Sequence, residues 1–206
     1  MGNKIAVLPG DGIGPEVMDE ALKVLHIVED KFGFKLEIER GLIGGAAIDA
    51  TGSPLPEDTK KLAQSSKAIL LGSIGGPKWD HMAPELSPEI GGLLALRKLL
   101  GLYINLRPAV VYEELKESSP LSPKVLSGKV DLLTVRELAH GIYFGQPKSL
   151  TENEAFDTMI YKKEEVEQIA HVAFQAARKR RGKVTSVDKA NVLSSSKLWR
   201  KVVIEV

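Results

Sequence analysis

The sequence predicts an α/β protein built on an open sheet. Three stretches carry that prediction. Lys4–Leu8 reads as a buried strand, and it passes through a glycine-rich loop, Pro9–Gly14, into a helix opened by Pro15 and Glu16. Phe34–Glu39 alternates in polarity like a second strand. Lys67–Leu71 reads as a third, and its carboxyl end runs into a loop rich in glycine and proline, where open α/β sheets bind ligands.

Composition bounds the rest. The chain has 206 residues, 43% of them hydrophobic, a formal net charge of +1 and no cysteine. That length fits one large domain or two small ones, and the apolar fraction supports a real core. The small net charge gives no global field toward nucleic acid or anionic membrane. The lack of cysteine excludes a disulfide scaffold and thiolate metal sites, and it fits a reducing cytoplasm. Ile5–Leu8 is too short an apolar run for a signal peptide or a membrane span. The sequence has no internal repeat and no low-complexity tract.

In the first helix Val17, Ala21, Leu22, Val24, Leu25 and Val28 keep a helical period to about Lys31. Gly10, Gly12 and Gly14 in the preceding loop do not have G-x-G-x-x-G spacing, so no classical dinucleotide fingerprint is read there. The loop either points backbone N–H groups at an anion near the helix start or is a tight turn that needs glycine. Gly41–Gly52 is expected to contain a short helix, and Pro56-Glu57-Asp58 to start another that reaches about Ser65. The loop from Gly72 to Gly92 is too long for an ordinary connection and is a functional candidate.

Leu93, Leu94, Leu96, Leu99 and Leu100 have the spacing of a helix that stops at Gly101. Leu102–Leu106 is expected to be a short buried strand ended by Pro108. Arg97 near the end of that helix and Arg107 at the end of that strand are two planar guanidiniums able to grip a carboxylate-rich ligand by paired hydrogen bonds. Helical spacing puts Leu93 and Leu94 on the face of Arg97, so a small di- or tri-acid with an alkyl branch would fit. The same pattern also describes any amphipathic helix with a basic residue near its C-terminal end.

Further on, Glu113–Gly128 is expected to be loop with a little helix, and Val130–Val135 a strand that delivers Arg136-Glu137. Gly141–Gly145 and Phe156–Tyr161 read as two extended arms around a turn, of a kind that often packs on another subunit. Glu164–Arg181 is expected to be a helix ended by Gly182, with Arg178–Arg181 a solvated terminal turn rather than a nucleic-acid patch. Lys183–Val187 is expected to be a strand presenting Asp188–Asn191. Ser194–Ser196 should cap a last helix, Lys197–Val206.

Taken together, Leu8-Pro-Gly-Asp-Gly-Ile-Gly-Pro-Glu16, Gly72-Ser-Ile-Gly-Gly-Pro-Lys-Trp-Asp80, Leu94-Ala-Leu-Arg97, Asn105-Leu-Arg-Pro108, Val135-Arg-Glu137, Gly141-Ile-Tyr-Phe-Gly145 and Val187-Asp-Lys-Ala-Asn191 resemble the 3-isopropylmalate dehydrogenases. These are β-decarboxylating dehydrogenases, sisters of the isocitrate and tartrate enzymes. The resemblance runs through the chain in order and corresponds to the N-terminal part of such enzymes. It implies the isocitrate/isopropylmalate dehydrogenase-like open α/β sheet in two domains. Residues 1–101 would be part of the cofactor domain, and 102–206 part of the substrate and dimerisation domain.

The resemblance also implies roles. Arg97, Arg107 and Arg136 would hold the malate carboxylates. Tyr143 would be the acid of the later proton transfer, and Lys189, from the other subunit of a homodimer, would act on the substrate hydroxyl. Ile13, Gly76, Pro77, Lys78, Trp79 and Glu89 would lie along the nicotinamide end of NAD. Leu93 and Leu94, with Val192 of the partner subunit, would receive the isopropyl group. The implied reaction is oxidative decarboxylation of 3-isopropylmalate to 2-oxoisocaproate with reduction of NAD, in cytoplasmic leucine biosynthesis. Mg²⁺ or Mn²⁺ would assist, with metal ligands expected beyond the end of this chain, so the chain as given is expected to be incomplete for catalysis. The alternatives are a sister substrate (isocitrate, tartrate or homoisocitrate) and a non-catalytic fragment. Two positions depart from the family: Ala139-His140 stands where small or hydroxyl residues are usual, and Gln146 where an acid is common. The resemblance gives His140 no role.

Overall fold

The apolar run at the amino end becomes β1 (Lys4–Gly10), the middle strand of a parallel sheet. It lies between β2 (Glu37–Arg40) and β3 (Ala68–Ser73), with Val7 opposite Arg40 on one side and Leu70 on the other. The computed structural model describes residues 3–128 and 130–206, in two units, Met1–Gly101 and Leu102–Val206.

In the first unit, successive residues of β1 feed opposite faces of the sheet, as a strand must. Val7 packs with Met18 and Leu22 of α1 (Gly14–Phe32). Leu8 packs with Ile43, Leu55, Ala63 and Leu96 on the other face. There α2 (Gly45–Thr51), α3 (Glu57–Ser65) and α4 (Ala95–Leu99) follow the chain. The core stripe of α1 is Met18, Leu22 and Leu25, whereas Val17 and Val24, assigned above to the same period, are exposed. Several registers fit so apolar a helix, and packing on Val7 selects this one.

The long loop after β3 is not bare. It forms 3₁₀ turns at Pro77–Trp79 and Pro84–Leu86 and then a π-helical segment, Pro88–Leu94, whose first turn is capped by Ser87 Oγ accepting from the Ile90 N–H at 3.2 Å. The expected single helix over residues 93–100 is therefore a π segment joined to a short α4. Gly91 and Gly92 lie inside the π turn and weaken the α spacing.

The second unit holds β4 (Ile104–Val110) and β5 (Asp131–Glu137), an antiparallel pair. Pro108 does not end β4, which continues to Val110 with Pro108 opposite Leu133. Among the described residues β4 has β5 as its one neighbour, and an edge strand tolerates a missing N–H. Leu106 is exposed, so the strand is not the buried one expected. Short 3₁₀ turns cover Glu113–Ser118 and Val125–Ser127.

Gly141–Tyr143 is a 3₁₀ turn rather than an extended arm, because Gly141 takes a left-handed φ of +72° that breaks extension. Of the second expected arm, Phe156–Tyr161, only Phe156 is paired, in a short hairpin of β6 (Ser149–Leu150) with β7 (Ala155–Phe156) that falls mostly in the expected turn. The helix α5 (Lys163–Arg178) packs on β5 and on α6 (Ser194–Glu205). It ends three residues before Arg181. Arg180 and Arg181 are not simply solvated: Arg180 Nη2 donates to Asp131 Oδ1 at 2.7 Å and Arg181 Nη2 to the Asp131 carbonyl at 2.7 Å. Lys183–Val187 is not a strand; among the described residues no strand pairs with it.

Candidate active site

In the first unit the loops at the carboxyl ends of β1 and β3 are tied together by one buried carboxylate. Asp11, 3% exposed, accepts the Gly45 and Gly75 N–H groups on Oδ2, each at 2.8 Å, and the Ala46 N–H on Oδ1 at 2.7 Å. Its own N–H donates to the Ser73 carbonyl at 2.6 Å. The glycine loop thus places an internal anion against backbone donors that an outside anion would otherwise meet.

That knot presents several residues at one edge of the sheet. Ile13 is exposed beside the start of α1. Gly75, at φ +95°, lies against Glu89, whose Oε1 would be 1.8 Å from any Cβ placed there. Gly76 adjoins the Trp79 ring, and a Cβ on it would come within 3.3 Å. Asp49 of α2 accepts from Lys78 Nζ and from Trp79 Nε1, the latter at 3.3 Å, while Lys78 Nζ stands 5.3 Å from the indole centroid. The lysine hydrogen bond holds the Asp49 carboxyl below the usual range. Leu93 and Leu94 are half-buried in the π segment and Arg97 is half-buried on α4.

In the second unit the β4–β5 register decides the geometry. Asn105 faces Arg136, and Arg107 faces Thr134. Cross-strand partners share a face, as do residues two apart on a strand, so Arg107 and Arg136 rise from the same face. Arg107 Nε donates to Asn105 Oδ1 at 2.6 Å. Arg136 Nη2 donates to Tyr143 Oη at 2.8 Å, with its guanidinium carbon 5.5 Å from the Tyr143 ring centroid.

The turn carrying Tyr143 is braced from below. The Gly141 N–H donates to the Ile160 carbonyl at 3.1 Å and the Gly145 N–H to the Gly141 carbonyl at 3.0 Å. Lys148 Nζ donates to the Tyr143 carbonyl at 3.0 Å. Tyr161 lies beneath Gly141 and meets Trp199 edge-on at 5.3 Å. Burial, with Glu137 and Glu165 nearby, pushes the Tyr161 phenol up, and Arg136 opposes this.

Lys189 is exposed, in the turn after Asp188, and Val192 is exposed beyond it. Asp188 is held by Arg200, Nη2 to Oδ1 at 2.7 Å, and by the Ala190 N–H at 2.9 Å, and its carboxyl is depressed by that arginine first. Among the described residues neither Lys189 nor Val192 bonds to Arg107, Arg136 or Tyr143. A groove of about 620 Å³ lies between β5, α5 and residues 183–187; Arg107, Arg136 and Tyr143 are not in its lining.

Two groups carry only weak signals in the sequence. For Asp11 the one signal is a lone acid between Gly10 and Gly12. For the carboxylates around His140 it is Glu137, three residues before it.

One unit is an open parallel sheet with long loops at its carboxyl edge, and the other holds an antiparallel pair bearing two arginines, one of them bonded to a tyrosine; these are features of a dehydrogenase-like α/β class. Residues 4–206 match the isocitrate/isopropylmalate dehydrogenase family, and the chain belongs to it. It is 64% identical over 203 residues to the 3-isopropylmalate dehydrogenase of Thermotoga maritima, covering 98% of this chain and 57% of that relative. It is 60% identical over 210 residues to the 3-isopropylmalate dehydrogenase of Bacillus caldotenax, covering 100% of this chain and 57% of that one. The chain therefore spans little more than half the length of these relatives. In structure it is similar to the isocitrate dehydrogenase of Methylococcus capsulatus, with TM-score 0.79 and 31% identity over 100% of this chain and 56% of that one. It is also similar to a β-decarboxylating dehydrogenase of Thermococcus kodakarensis, with TM-score 0.71 and 33% identity over 100% of this chain and 54% of the other.

Proposed function

We propose that the protein carrying this chain oxidatively decarboxylates 3-isopropylmalate to 2-oxoisocaproate in leucine biosynthesis, as an NAD-dependent cytoplasmic homodimer. The observation that carries the reading is the single face of the β4–β5 pair that bears Arg107, Arg136 and, through Arg136, the Tyr143 hydroxyl. Two guanidiniums there suit carboxylates, which take paired hydrogen bonds from the planar fork.

Tyr143 is suited to deliver a proton. Its oxygen accepts from Arg136, so its own O–H is left to point elsewhere, toward a substrate held on the same face. In the proposed reaction the hydroxyl-bearing carbon is oxidised to a ketone, CO₂ leaves from the β position, and Tyr143 returns a proton to the enol carbon. Lys189, supplied by the partner subunit, takes the hydroxyl proton. Arg97 joins the carboxylate contacts, and Leu93, Leu94 and the partner's Val192 receive the alkyl branch; these assignments rest on the family resemblance.

The first unit supports a nicotinamide end along Ile13, Gly76, Pro77, Lys78, Trp79 and Glu89. Support comes from the apolar Ile13 surface, from side-chain-free Gly75 and Gly76, and from the Glu89 carboxylate lying against Gly75. Bound NAD would supply the hydride acceptor. For Mg²⁺ or Mn²⁺ the fit differs: among the described residues no group of three or more His, Cys, Asp or Glu side chains could hold an ion. No proton or charge step is assigned to a metal here.

The test is NADH formation with a panel of acids: 3-isopropylmalate, malate, isocitrate and tartrate. Turnover favouring 3-isopropylmalate supports the reading. Preference for isocitrate or tartrate would assign the protein to a sister activity, and indifference to all four would overturn the reading.

A further inference from the structure

His140 sits between β5 and the Tyr143 turn, with a carboxylate on each side of its ring. Its Nδ1 is 2.9 Å from Glu137 Oε1, and its Nε2 is 3.2 Å from Glu165 Oε1 in the first turn of α5. Both acids are also held by backbone donors. Glu137, with its side chain 4% exposed, accepts the Ala139 N–H at 2.7 Å and the His140 N–H at 3.1 Å. Glu165 accepts the Lys162 N–H on Oε2 at 2.8 Å. Neither carboxylate can easily turn away.

Ionised carboxylates only accept, so two carboxylates on one imidazole require both ring nitrogens to donate. Only the doubly protonated ring does this. A neutral ring donates from one nitrogen and turns a lone pair toward the other acid. The other groups facing the site are Tyr161, whose phenol lies under Gly141, and Arg136 on the Tyr143 ring. Lys148 and Asp157 pair at 3.2 Å on the far side of the turn.

We propose that His140 is a positioning residue: its doubly protonated ring clasps the end of β5 to α5, and this fixes the Gly141–Tyr143 turn so that Tyr143 stays against Arg136. Loss of one proton opens the clasp on one side and loosens Tyr143. The consequence for turnover rests on the proposed role of Tyr143 as the acid.

Glu165→Gln separates the clasp from a generic structural role. A glutamine amide has one oxygen; kept on the Lys162 N–H, it leaves the NH₂ facing His140 Nε2, where it can only donate, so it suits the neutral ring and not the doubly protonated one. His140→Ala should lower kcat by about tenfold, a part of what a positioned acid contributes, and leave the KM values for acid and NAD within about twofold. Glu165→Gln should lower kcat on the acidic side and reverse the wild-type trend, with kcat rising rather than falling as His140 loses a proton. Unchanged kcat in His140→Ala, or a wild-type pH profile in Glu165→Gln, overturns the proposal.

A second readout needs no turnover. In protein labelled with fluorotyrosine, the Tyr143 signal should move in step with the imidazole nitrogen signals of His140 in the wild type, and in the opposite sense in Glu165→Gln. A Tyr143 signal that ignores His140 would overturn the clasp even where the proposed activity holds. A coupled signal in a protein that turns over none of the acids would keep the clasp while overturning the proposed function.

Discussion

Arg136 donates to the Tyr143 hydroxyl at 2.8 Å and stacks over its ring at 5.5 Å, so the two residues act as one unit on the β4–β5 face. The phenol oxygen accepts from the guanidinium, which leaves the phenol proton to point elsewhere, toward the substrate in the proposed reaction. Tyr143→Phe keeps the ring and removes the proton. It should lower kcat by roughly 10²–10⁴-fold, the usual value of a positioned acid, with a much smaller change in KM. Steady-state kinetics with 3-isopropylmalate checks this; a proportional rise in KM at constant kcat would make Tyr143 a binding residue only.

Leu93 and Leu94 should set the preference for an alkyl branch. Each methylene lost from an apolar pocket costs about 1–3 kcal/mol of discrimination. Leu93→Ala should narrow the kcat/KM ratio of 3-isopropylmalate over unbranched malate. An unchanged ratio would place the alkyl group elsewhere.

Asp11 is a stability residue by its geometry. Truncation to Ala would leave the N–H groups of Gly45, Ala46 and Gly75 without their acceptor, and an unsatisfied buried donor costs about 1–3 kcal/mol. Asp11→Ala should lower Tm by roughly 5–10 °C in a chain of this size. Asp11→Asn, which keeps one carbonyl oxygen, should lie between it and the wild type. Calorimetry that finds both variants equal to the wild type would contradict the knot.

Glu29 gives a pH dependence with a fixed sign. It is buried at the end of α1, accepts the Leu36 N–H at 2.7 Å and lies 2.8 Å from His26 Nδ1. The Leu36 N–H first, then His26, holds its folded carboxyl below the ordinary glutamate range. A depressed carboxyl stabilises the fold above its unfolded pKa, and that contribution is lost as pH falls through the folded value. The Tm gap between wild type and Glu29→Gln should therefore be full near neutral pH and shrink below about pH 4. A gap that stays constant into acid would show that the charge of Glu29 contributes nothing.

Some of this was legible from residue order and some was not. β1, α1 and β3 were readable because local signals agreed: an apolar run, proline and an acid at the helix start, and a glycine-rich exit. The extension of β4 through Pro108 was not, because it depends on an edge position that only the β5 register supplies. Lys183–Val187 has strand-like composition, yet strand formation needs a partner backbone that composition does not provide. Arg107 is readable as a candidate carboxylate binder by type and Arg136 through the family resemblance, but their shared face follows from pairing Asn105 with Arg136, a long-range fact. Asp11 and His140 escaped for the same reason: the partners of each include groups distant in sequence, at Gly45 and Gly75 for one and Glu165 for the other.

The central claim, that the β4–β5 face grips the carboxylates of a substrate, is tested most directly by Arg107→Lys. Lysine keeps the charge and loses the planar fork. KM and Kd for 3-isopropylmalate should rise by roughly 10–100-fold, matching about 1.5–3 kcal/mol for a charged hydrogen bond, while NAD affinity stays within about twofold. Equal losses for acid and NAD, or no loss of either, would contradict the account.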